Sequence, residues 1–354
     1  AYTAATRLAA LLAKEGRLQA AIAEFTRFLP RTQNPAHQAT LRLERGRAYY
    51  ALAQRDSDRF QLGRARDDFA ALEGADDPAI AAEARFFLVL CLYGLGDDDR
   101  ARTLAQTYLD DYPDSPRVPD MILWLAKSDF NRGEYEAAAQ GFRTFAERWP
   151  DDPRVPNARF LAARAAYQAG DYAHAIELVA ALAETAPQAD ILPDARFLQA
   201  EALIELARFG EAAELLSRLI RHSPDAPWVG EAHGLLGDCL RITATNDPAR
   251  YELAYKNYRA ALDRLNDGRD PDAAARYAYQ IGRVYEKQER LDLAVKQYYA
   301  LLYAAADLTA QAYAAEGRRW VDRARTRLEA IETARGRRAQ YERLAARLRA
   351  AGLA

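Results

Sequence analysis

The sequence predicts an all-α fold in which one helix hairpin is repeated along a solenoid. Alanine, the strongest helix former, is the commonest residue, with 77 copies among 354 residues. The 18 glycines and 15 prolines are too few for a β-protein built on tight turns. Prolines also recur at a constant interval of 37 residues, at Pro113, Pro150, Pro187 and Pro224. A fixed period of this length indicates a repeat architecture.

Two further columns keep the same period and define the repeated unit. Seventeen residues before each proline stand Gly96, Gly133, Gly170 and Ala207. Five residues after those stand Ala101, Ala138, Ala175 and Ala212. A glycine can close a first helix in the left-handed conformation, and the proline cannot continue the second helix. We therefore expect a first helix, a short turn, a second helix that approaches closely at the alanine, and a loop.

The loops support these helix boundaries. Four aspartates precede a proline and are expected to cap a helix whose first residue is that proline: Asp77, Asp152, Asp247 and Asp270. Two repeats are longer than the others, by about seven residues around 55–60 and about five around 243–248. We expect both insertions at the turn within a hairpin, where additional residues are tolerated.

At this point the sequence resembles the tetratricopeptide repeat (TPR) family, which has characteristic residues at fixed positions of each repeat. Residues 119–150 match through Ala126, Gly133, Tyr135, Ala138, Phe142 and Pro150. Residues 275–306 match through Gly282, Tyr285, Leu291, Ala294 and Tyr298. The resemblance implies a right-handed α-solenoid of about eight hairpins over residues 1–306, followed by a C-terminal cap.

The loops between hairpins are similar to those of one TPR subfamily. The sequences at 112–116 and 149–153 are Tyr-Pro-Asp-Ser-Pro and Trp-Pro-Asp-Asp-Pro. They resemble the TPR lipoprotein of the outer-membrane barrel-assembly machinery and the Tol–Pal-associated periplasmic TPR protein. This similarity implies a bacterial envelope or periplasmic setting, with the cytoplasm as the alternative. Because no Met opens the chain, we expect a mature product or a segment of a larger protein.

Residues 307–354 are predicted to form basic capping helices. One apolar stripe consists of Trp320, Ala324, Leu328 and Ile331, and a second of Tyr341, Leu344 and Leu348. From Gly317 onward there are 11 Arg residues and 4 acidic residues. One interpretation is a cap that shields the last repeat and leaves its arginines in solvent. The other is a basic amphipathic helix that contacts an acidic partner, lipid or nucleic acid.

The sequence offers no recognisable catalytic chemistry. The four histidines lack metal-ligand spacing, Cys91 and Cys239 are expected to be buried, and Asp97–Asp99 is better explained by helix capping than by a cation site. We therefore expect no enzyme activity, cofactor, metal or small-molecule substrate. The net charge of −2 argues against a general nucleic-acid binder. The lack of an 18-residue apolar run argues against a transmembrane segment.

The resemblance implies a binding groove lined by the first helix of each repeat, at positions 2, 5, 9, 12 and 13. Position 5 holds Phe86, Leu123, Phe160 and Phe197, and position 12 holds Tyr93, Phe130 and Tyr167. Position 9 changes from basic to acidic through Lys127, Arg164, Glu201 and Asp238. This pattern predicts a peptide with aromatic anchors and complementary charge polarity. The alternative is that the position 5 side chains are buried by stacking between repeats.

The known carboxylate clamp of chaperone-binding TPR domains is absent. Position 6, which would contribute to it, holds Phe87, Trp124, Leu161 and Leu198. The sequence therefore predicts a non-catalytic scaffold or adaptor that binds a protein or peptide segment. The alternative is the sensor or regulatory arm of a larger protein, such as an envelope enzyme or a transcriptional regulator. Nucleic-acid binding through the Arg-rich tail is the weakest hypothesis.

Overall fold

The structure is a computed structural model that describes residues 7, 9, 11–245, 247–265, 270–308 and 313–353, without the side chains of 338–340. These residues form α-helices and one short 3₁₀ helix, Leu29–Arg31, and contain no β-strand. The chain divides into two compact units, Ala1–Ala169 and Gly170–Ala354. Each unit consists of α-helices that pack in succession along the chain.

In the first unit, each described helix packs against the next along the chain. Residues 11–14 are helical and precede the numbered helices. The side chains of Phe25, Phe69, Tyr108 and Phe142 are fully buried and form part of its core. Its helices are α1 (Leu18–Phe28), α2 (Pro35–Asp56), α3 (Arg59–Ala70), α4 (Pro78–Leu95), α5 (Asp98–Asp111), α6 (Val118–Asn131), α7 (Tyr135–Arg148) and α8 (Val155–Gln168).

The second unit continues the same succession of paired helices. Leu216, Tyr258, Tyr298 and Leu328 are fully buried in its core. Its helices are α9 (Tyr172–Thr185), α10 (Leu192–Glu205), α11 (Phe209–His222), α12 (Val229–Ile242), α13 (Pro248–Arg264), α14 (Pro271–Lys287), α15 (Leu291–Asp307), α16 (Ala315–Ala334) and α17 (Arg338–Ala350).

The turn inside most hairpins has one left-handed residue two positions before the second helix. Gly133 has φ +79°; its amide bonds to the Phe130 carbonyl, and the next amide bonds to the Asp129 carbonyl. This is the Schellman arrangement, which satisfies the last carbonyls of the first helix. The other left-handed residues in this place are Gly16, Ser57, Gly96, Gly170, Ala207, Glu289 and Gly336. The glycine column of the sequence therefore marks the turns as expected.

Small residues on the first helix admit an aromatic ring from the second. A Cβ added at Gly282 would lie 2.3 Å from the Tyr298 ring, and one added at Gly237 would lie 2.7 Å from the Tyr258 ring. On the second helix, Ala138 and Ala212 are completely buried, as the alanine column predicts. Close packing at these positions leaves no room for a larger side chain.

Two local expectations were wrong. Asp152 does not cap a helix that begins at Pro153; α8 begins at Val155, and Asp152 instead accepts a hydrogen bond from the Arg154 amide. Asp97 precedes α5 but makes no side-chain capping bond. The seven-residue insertion, in contrast, lies at the turn within its hairpin as expected: α2 ends at Asp56, Ser57 is left-handed, and α3 begins at Arg59.

Helix α4 is the one described helix long and apolar enough, by length and composition, to cross a membrane. In the structure it packs against α3 and α5 as the first helix of a hairpin. Eight of its 18 residues are buried, including Phe86, Val89 and Cys91. Its apolar character is therefore accounted for by hairpin packing.

The C-terminal segment folds as one more hairpin, with Gly336 as its left-handed turn residue (φ +67°). Both predicted stripes face inward: Ala324, Leu328, Tyr341, Leu344 and Leu348 are buried in a cluster that includes Tyr298 and Leu302. The Trp320 ring lies 5.5 Å from that of Tyr279 on α14. This hairpin therefore covers the apolar surface of the preceding one.

Several arginines of this hairpin form ion pairs with acidic side chains of the preceding hairpin. Arg335 bonds to Asp292 at 2.7 Å, Arg327 bonds to Glu286, and Arg347 bonds to Asp307. Arg335 is therefore mostly removed from solvent, contrary to the expectation for a cap, whereas the Arg347 side chain is 53% exposed. Exposed arginines without an ion pair in the described part of the chain also remain, among them Arg319, Arg323, Arg343 and Arg349.

The turn geometry predicts that Ala207→Gly stabilises the protein. Ala207 has φ +55°, a region in which a Cβ costs about 1 kcal/mol and a glycine does not. We expect urea titration to show a gain of up to about 1 kcal/mol. The matched control is Gly133→Ala, whose added Cβ meets no atom within 4 Å, so that only the backbone penalty is measured. A loss of stability in Ala207→Gly would contradict this assignment.

The Glu286 ion pair predicts a pH-dependent contribution to stability. Burial raises the pKa of Glu286, but hydrogen bonds from Arg327 and Tyr298 outweigh burial and leave that pKa lowered. Its stabilisation is therefore complete above the unfolded-state pKa and is lost as the pH falls through the folded-state pKa. We expect Arg327→Ala to lower stability at pH 7 and to flatten the acid limb of the stability curve. Arg319→Ala on the same helix should change neither; equal effects would contradict the prediction.

Candidate protein-binding face

Eight of the ten predicted site residues lie in the first unit, on the first helices α4, α6 and α8. They are Phe86, Tyr93, Leu123, Lys127, Phe130, Phe160, Arg164 and Tyr167. Two contacts join these helices: the rings of Tyr93 and Trp124 are 5.5 Å apart, and the Arg164 guanidinium lies 5.6 Å from the Phe130 ring. Phe197 and Glu201 lie on α10 in the second unit.

The position 5 side chains are mostly buried. Phe86, Leu123 and Phe197 are buried, and Phe160 is half-buried. The Phe86 ring is covered by the Arg117 guanidinium at 4.9 Å, and the Phe197 ring stacks on Trp228 at 5.0 Å. These contacts match the alternative in which position 5 serves stacking between repeats.

The position 12 side chains are accessible. Tyr93 is 42% exposed, and Phe130 and Tyr167 are half-buried. Trp124, at position 6 of the next repeat, meets the edge of Tyr93 and is also half-buried. Trp124 was not among the predicted site residues, although its aromatic side chain at position 6 was a signal for it. Accessible aromatic rings therefore extend over adjacent first helices.

Two free cations accompany these rings. Lys127 and Arg164 are both exposed, and neither has an ion-pair partner among the described residues. They occupy position 9 of consecutive repeats, 37 residues apart. We call the surface formed by Tyr93, Trp124, Lys127, Phe130 and Arg164 the basic–aromatic face.

Neighbouring charges, by contrast, are neutralised by a periodic set of bonds. An acidic side chain at position 2 accepts a bond from a donor 34 residues later: Arg117 bonds to Glu83 at 2.7 Å and Arg154 to Asp120 at 2.5 Å. In the second unit the Trp228 indole donates to Asp194 at 2.7 Å. These bonds connect successive repeats, and they neutralise the acidic side chains at position 2.

Glu83 also neutralises Arg47, the position 9 cation of the second hairpin. Arg47 donates to Glu83 at 2.6 Å and to Glu44 at 2.7 Å. Burial raises the pKa of Glu83, but bonds from Arg117 and Arg47 outweigh it, so the pKa is lowered overall. Arg47 is therefore a structural cation, unlike Lys127 and Arg164.

The acidic part of the predicted charge gradient is also compensated. Asp238 accepts bonds from the Tyr258 hydroxyl at 2.7 Å and from Arg276 at 2.5 Å. Glu201 likewise has an interaction partner. The predicted change from free basic to free acidic charge is therefore wrong at Asp238. The free charge on the candidate residues of the first unit is basic.

The described residues show no cluster of three or more His, Cys, Asp or Glu side chains that could hold a metal ion. Cys91 and Cys239 are buried, and burial raises the pKa of each thiol to about 12. Neither thiol would be ionised at neutral pH. The accessible chemistry of the site is therefore that of aromatic rings and cations.

Comparison with known proteins identifies the repeat. A family model described as tetratricopeptide repeat matches residues 45–116 and 125–190, and a second model of the same description matches residues 194–226. The helix hairpins within these matched residues are tetratricopeptide repeats. A search of curated proteins finds no match.

Two solved structures share the TPR solenoid fold. The C-terminal part of a TPR repeat-containing protein from Cytophaga hutchinsonii has a TM-score of 0.57 and 20% identity, covering 71% of this chain and 93% of that one. RapI in its apo form has a TM-score of 0.59 and 11% identity, covering 98% of this chain and 97% of that one. At these identities the similarity shows the fold alone.

The contrast between free and paired cations predicts different effects on stability. Lys127→Ala and Arg164→Ala should each change the free energy of unfolding by less than about 0.5 kcal/mol, because they break no ion pair. Arg117→Ala should cost roughly 1 kcal/mol, because it removes two hydrogen bonds to the mostly buried Glu83 carboxylate. Urea titrations of the three variants provide the comparison. A large loss in Lys127→Ala or Arg164→Ala would show that these cations stabilise the fold.

Proposed function

We propose that this TPR protein is a non-catalytic interaction scaffold that binds a protein or peptide segment on its basic–aromatic face. The observation that supports this site is the combination of accessible rings with two cations that have no ion-pair partner among the described residues. Most position 5 side chains are buried, and Arg47 is already paired. Accessible aromatic and basic side chains thus coincide at Lys127, Phe130 and Arg164.

The chemistry of these residues suits protein recognition. Trp, Tyr and Arg are the residue types most enriched among binding hot spots, because they provide large contact areas together with hydrogen-bond donors. The first helices that hold them are fixed by hairpin turns and by the bonds from Glu83 to Arg117 and from Asp120 to Arg154. Rigid elements hold a binding surface at low entropic cost.

We further propose that the scaffold acts in the bacterial envelope, in the manner of the TPR subfamily whose proline-rich loops it resembles. The support is the Tyr-Pro-Asp-Ser-Pro and Trp-Pro-Asp-Asp-Pro loops at 112–116 and 149–153. Cell fractionation of the full reading frame tests this location. Recovery from the periplasm or membrane fraction is the expected result, and recovery from the cytoplasm alone would contradict it.

Site-specific photo-crosslinking tests the proposed site. A photoreactive phenylalanine analogue is placed at Phe130, and crosslinking is performed in the native cell. We expect a protein adduct from this position because its ring is accessible beside Arg164. The matched control is the same analogue at Phe60, which is 65% exposed, lies on the second helix of its hairpin and should give no matching adduct.

A second comparison measures the energetic role of the ring. Phe130→Ala should weaken binding of the crosslinked partner by about thirtyfold, the effect expected of a hot-spot side chain. Phe60→Ala should leave binding unchanged. Equal adducts from both positions, or full binding by Phe130→Ala, would contradict the proposed site.

A further inference from the structure

The free cations of the basic–aromatic face indicate the charge of its partner. Lys127 and Arg164 stand at the same position of consecutive repeats and are both exposed. Their side chains have no acidic partner in the described part of the chain. An exposed cation without a partner is common, but two in register beside accessible rings form one continuous surface of positive charge.

The acidic side chains of α6 and of the turn that follows it already have partners. Asp120 accepts a bond from Arg154 at 2.5 Å, and Asp129 accepts one from Arg102. Glu134 is shared between Arg102 at 2.8 Å and Arg132 at 3.2 Å. Each of these acids would have to break an existing bond to neutralise Lys127 or Arg164. The positive charge of the face is therefore available to a partner.

The two cations are arranged to receive two separate carboxylates. Lys127 is on α6 and Arg164 is on α8, and the Arg164 guanidinium lies 5.6 Å from the ring of Phe130 on α6. Two acidic side chains at alternate positions of an extended segment are about 7 Å apart along the backbone, a spacing that such long cationic side chains can reach. Positions 5 and 6 of this repeat hold the apolar residues Leu123 and Trp124. These two positions therefore add no polar group beside Lys127 with which to clamp a single carboxylate.

We propose that the partner is an internal acidic segment with two carboxylates and one aromatic or large aliphatic side chain. The carboxylates pair with Lys127 and Arg164, and the apolar side chain packs on the rings of Tyr93, Trp124 and Phe130. This proposal rests on the proposed function, because it specifies the occupant of the same face. It requires no free chain terminus, since one cation per helix matches side-chain carboxylates better than a single terminal one.

Selection from a peptide library tests the chemistry. A library of random 12-residue segments, displayed between two flanking domains so that neither end is free, is selected on the full chain. We expect the selected segments to contain two or more Asp or Glu residues and at least one aromatic or large aliphatic residue. A representative segment is then synthesised with both ends capped, and its affinity is measured.

A charge-reversal pair locates the bound segment. Lys127→Glu combined with Arg164→Glu should lower the affinity for the capped peptide by about tenfold or more, and this loss of affinity should be smaller in high salt. The matched control is Arg319→Glu combined with Arg323→Glu, which changes the charge equally on exposed arginines of α16. Arg323 also lies 4.5 Å from an aromatic ring, that of Trp320, so the control resembles the site in composition. The control variant should bind normally.

The outcomes separate this proposal from the proposed function. Neutral or basic selected segments that still depend on Phe130 would overturn the acidic partner and leave the scaffold intact. Acidic segments that lose affinity only in the Arg319 and Arg323 variant would overturn the location. If no segment is selected, or if selected segments are insensitive to both Phe130→Ala and the charge reversal, the proposed site and this proposal both fail.

Discussion

The left-handed turn inside most of the hairpins is the constraint on which the rest of the structure depends. It reverses the chain within two residues and places the second helix against the first, so that small residues meet aromatic rings. At Gly133 the turn also satisfies two carbonyls at the end of α6. Once this geometry recurs with a fixed period, the first helices of successive hairpins present equivalent positions. The register of Lys127 and Arg164 follows from that repetition.

Local sequence chemistry was sufficient to predict the hairpins and most of their boundaries. Glycine at the turn, alanine between the helices and proline in the loop act over a few residues, so that their effects are visible in the sequence. The prediction of a helix boundary failed where a residue had a second local hydrogen-bond partner available. Asp152 could bond to the Arg154 amide without starting a helix at Pro153. Propensity alone does not decide between such options.

The candidate site was less predictable because it depends on which charges are neutralised. The position 9 residues Arg47, Lys127 and Arg164 look equivalent in the sequence. Arg47 is occupied by Glu83, which lies 36 residues away, whereas the other two have no ion-pair partner in the described chain. Likewise, the tail looks strongly basic, but Arg327 and Arg335 are held by acids of the preceding hairpin. Pairing over such separations emerges only when the repeats are stacked.

These features give the protein's surface two kinds of charge. Paired charges such as Glu83 and Arg117 connect repeats, whereas Lys127 and Arg164 have no ion-pair partner in the described chain, and we propose that they serve recognition. The most direct test is a crystal structure of the chain with a selected acidic peptide. Our account predicts peptide carboxylates within ion-pair distance of the Lys127 ammonium and the Arg164 guanidinium, with an apolar side chain against Phe130. A peptide bound instead at α16 or α17 would contradict it.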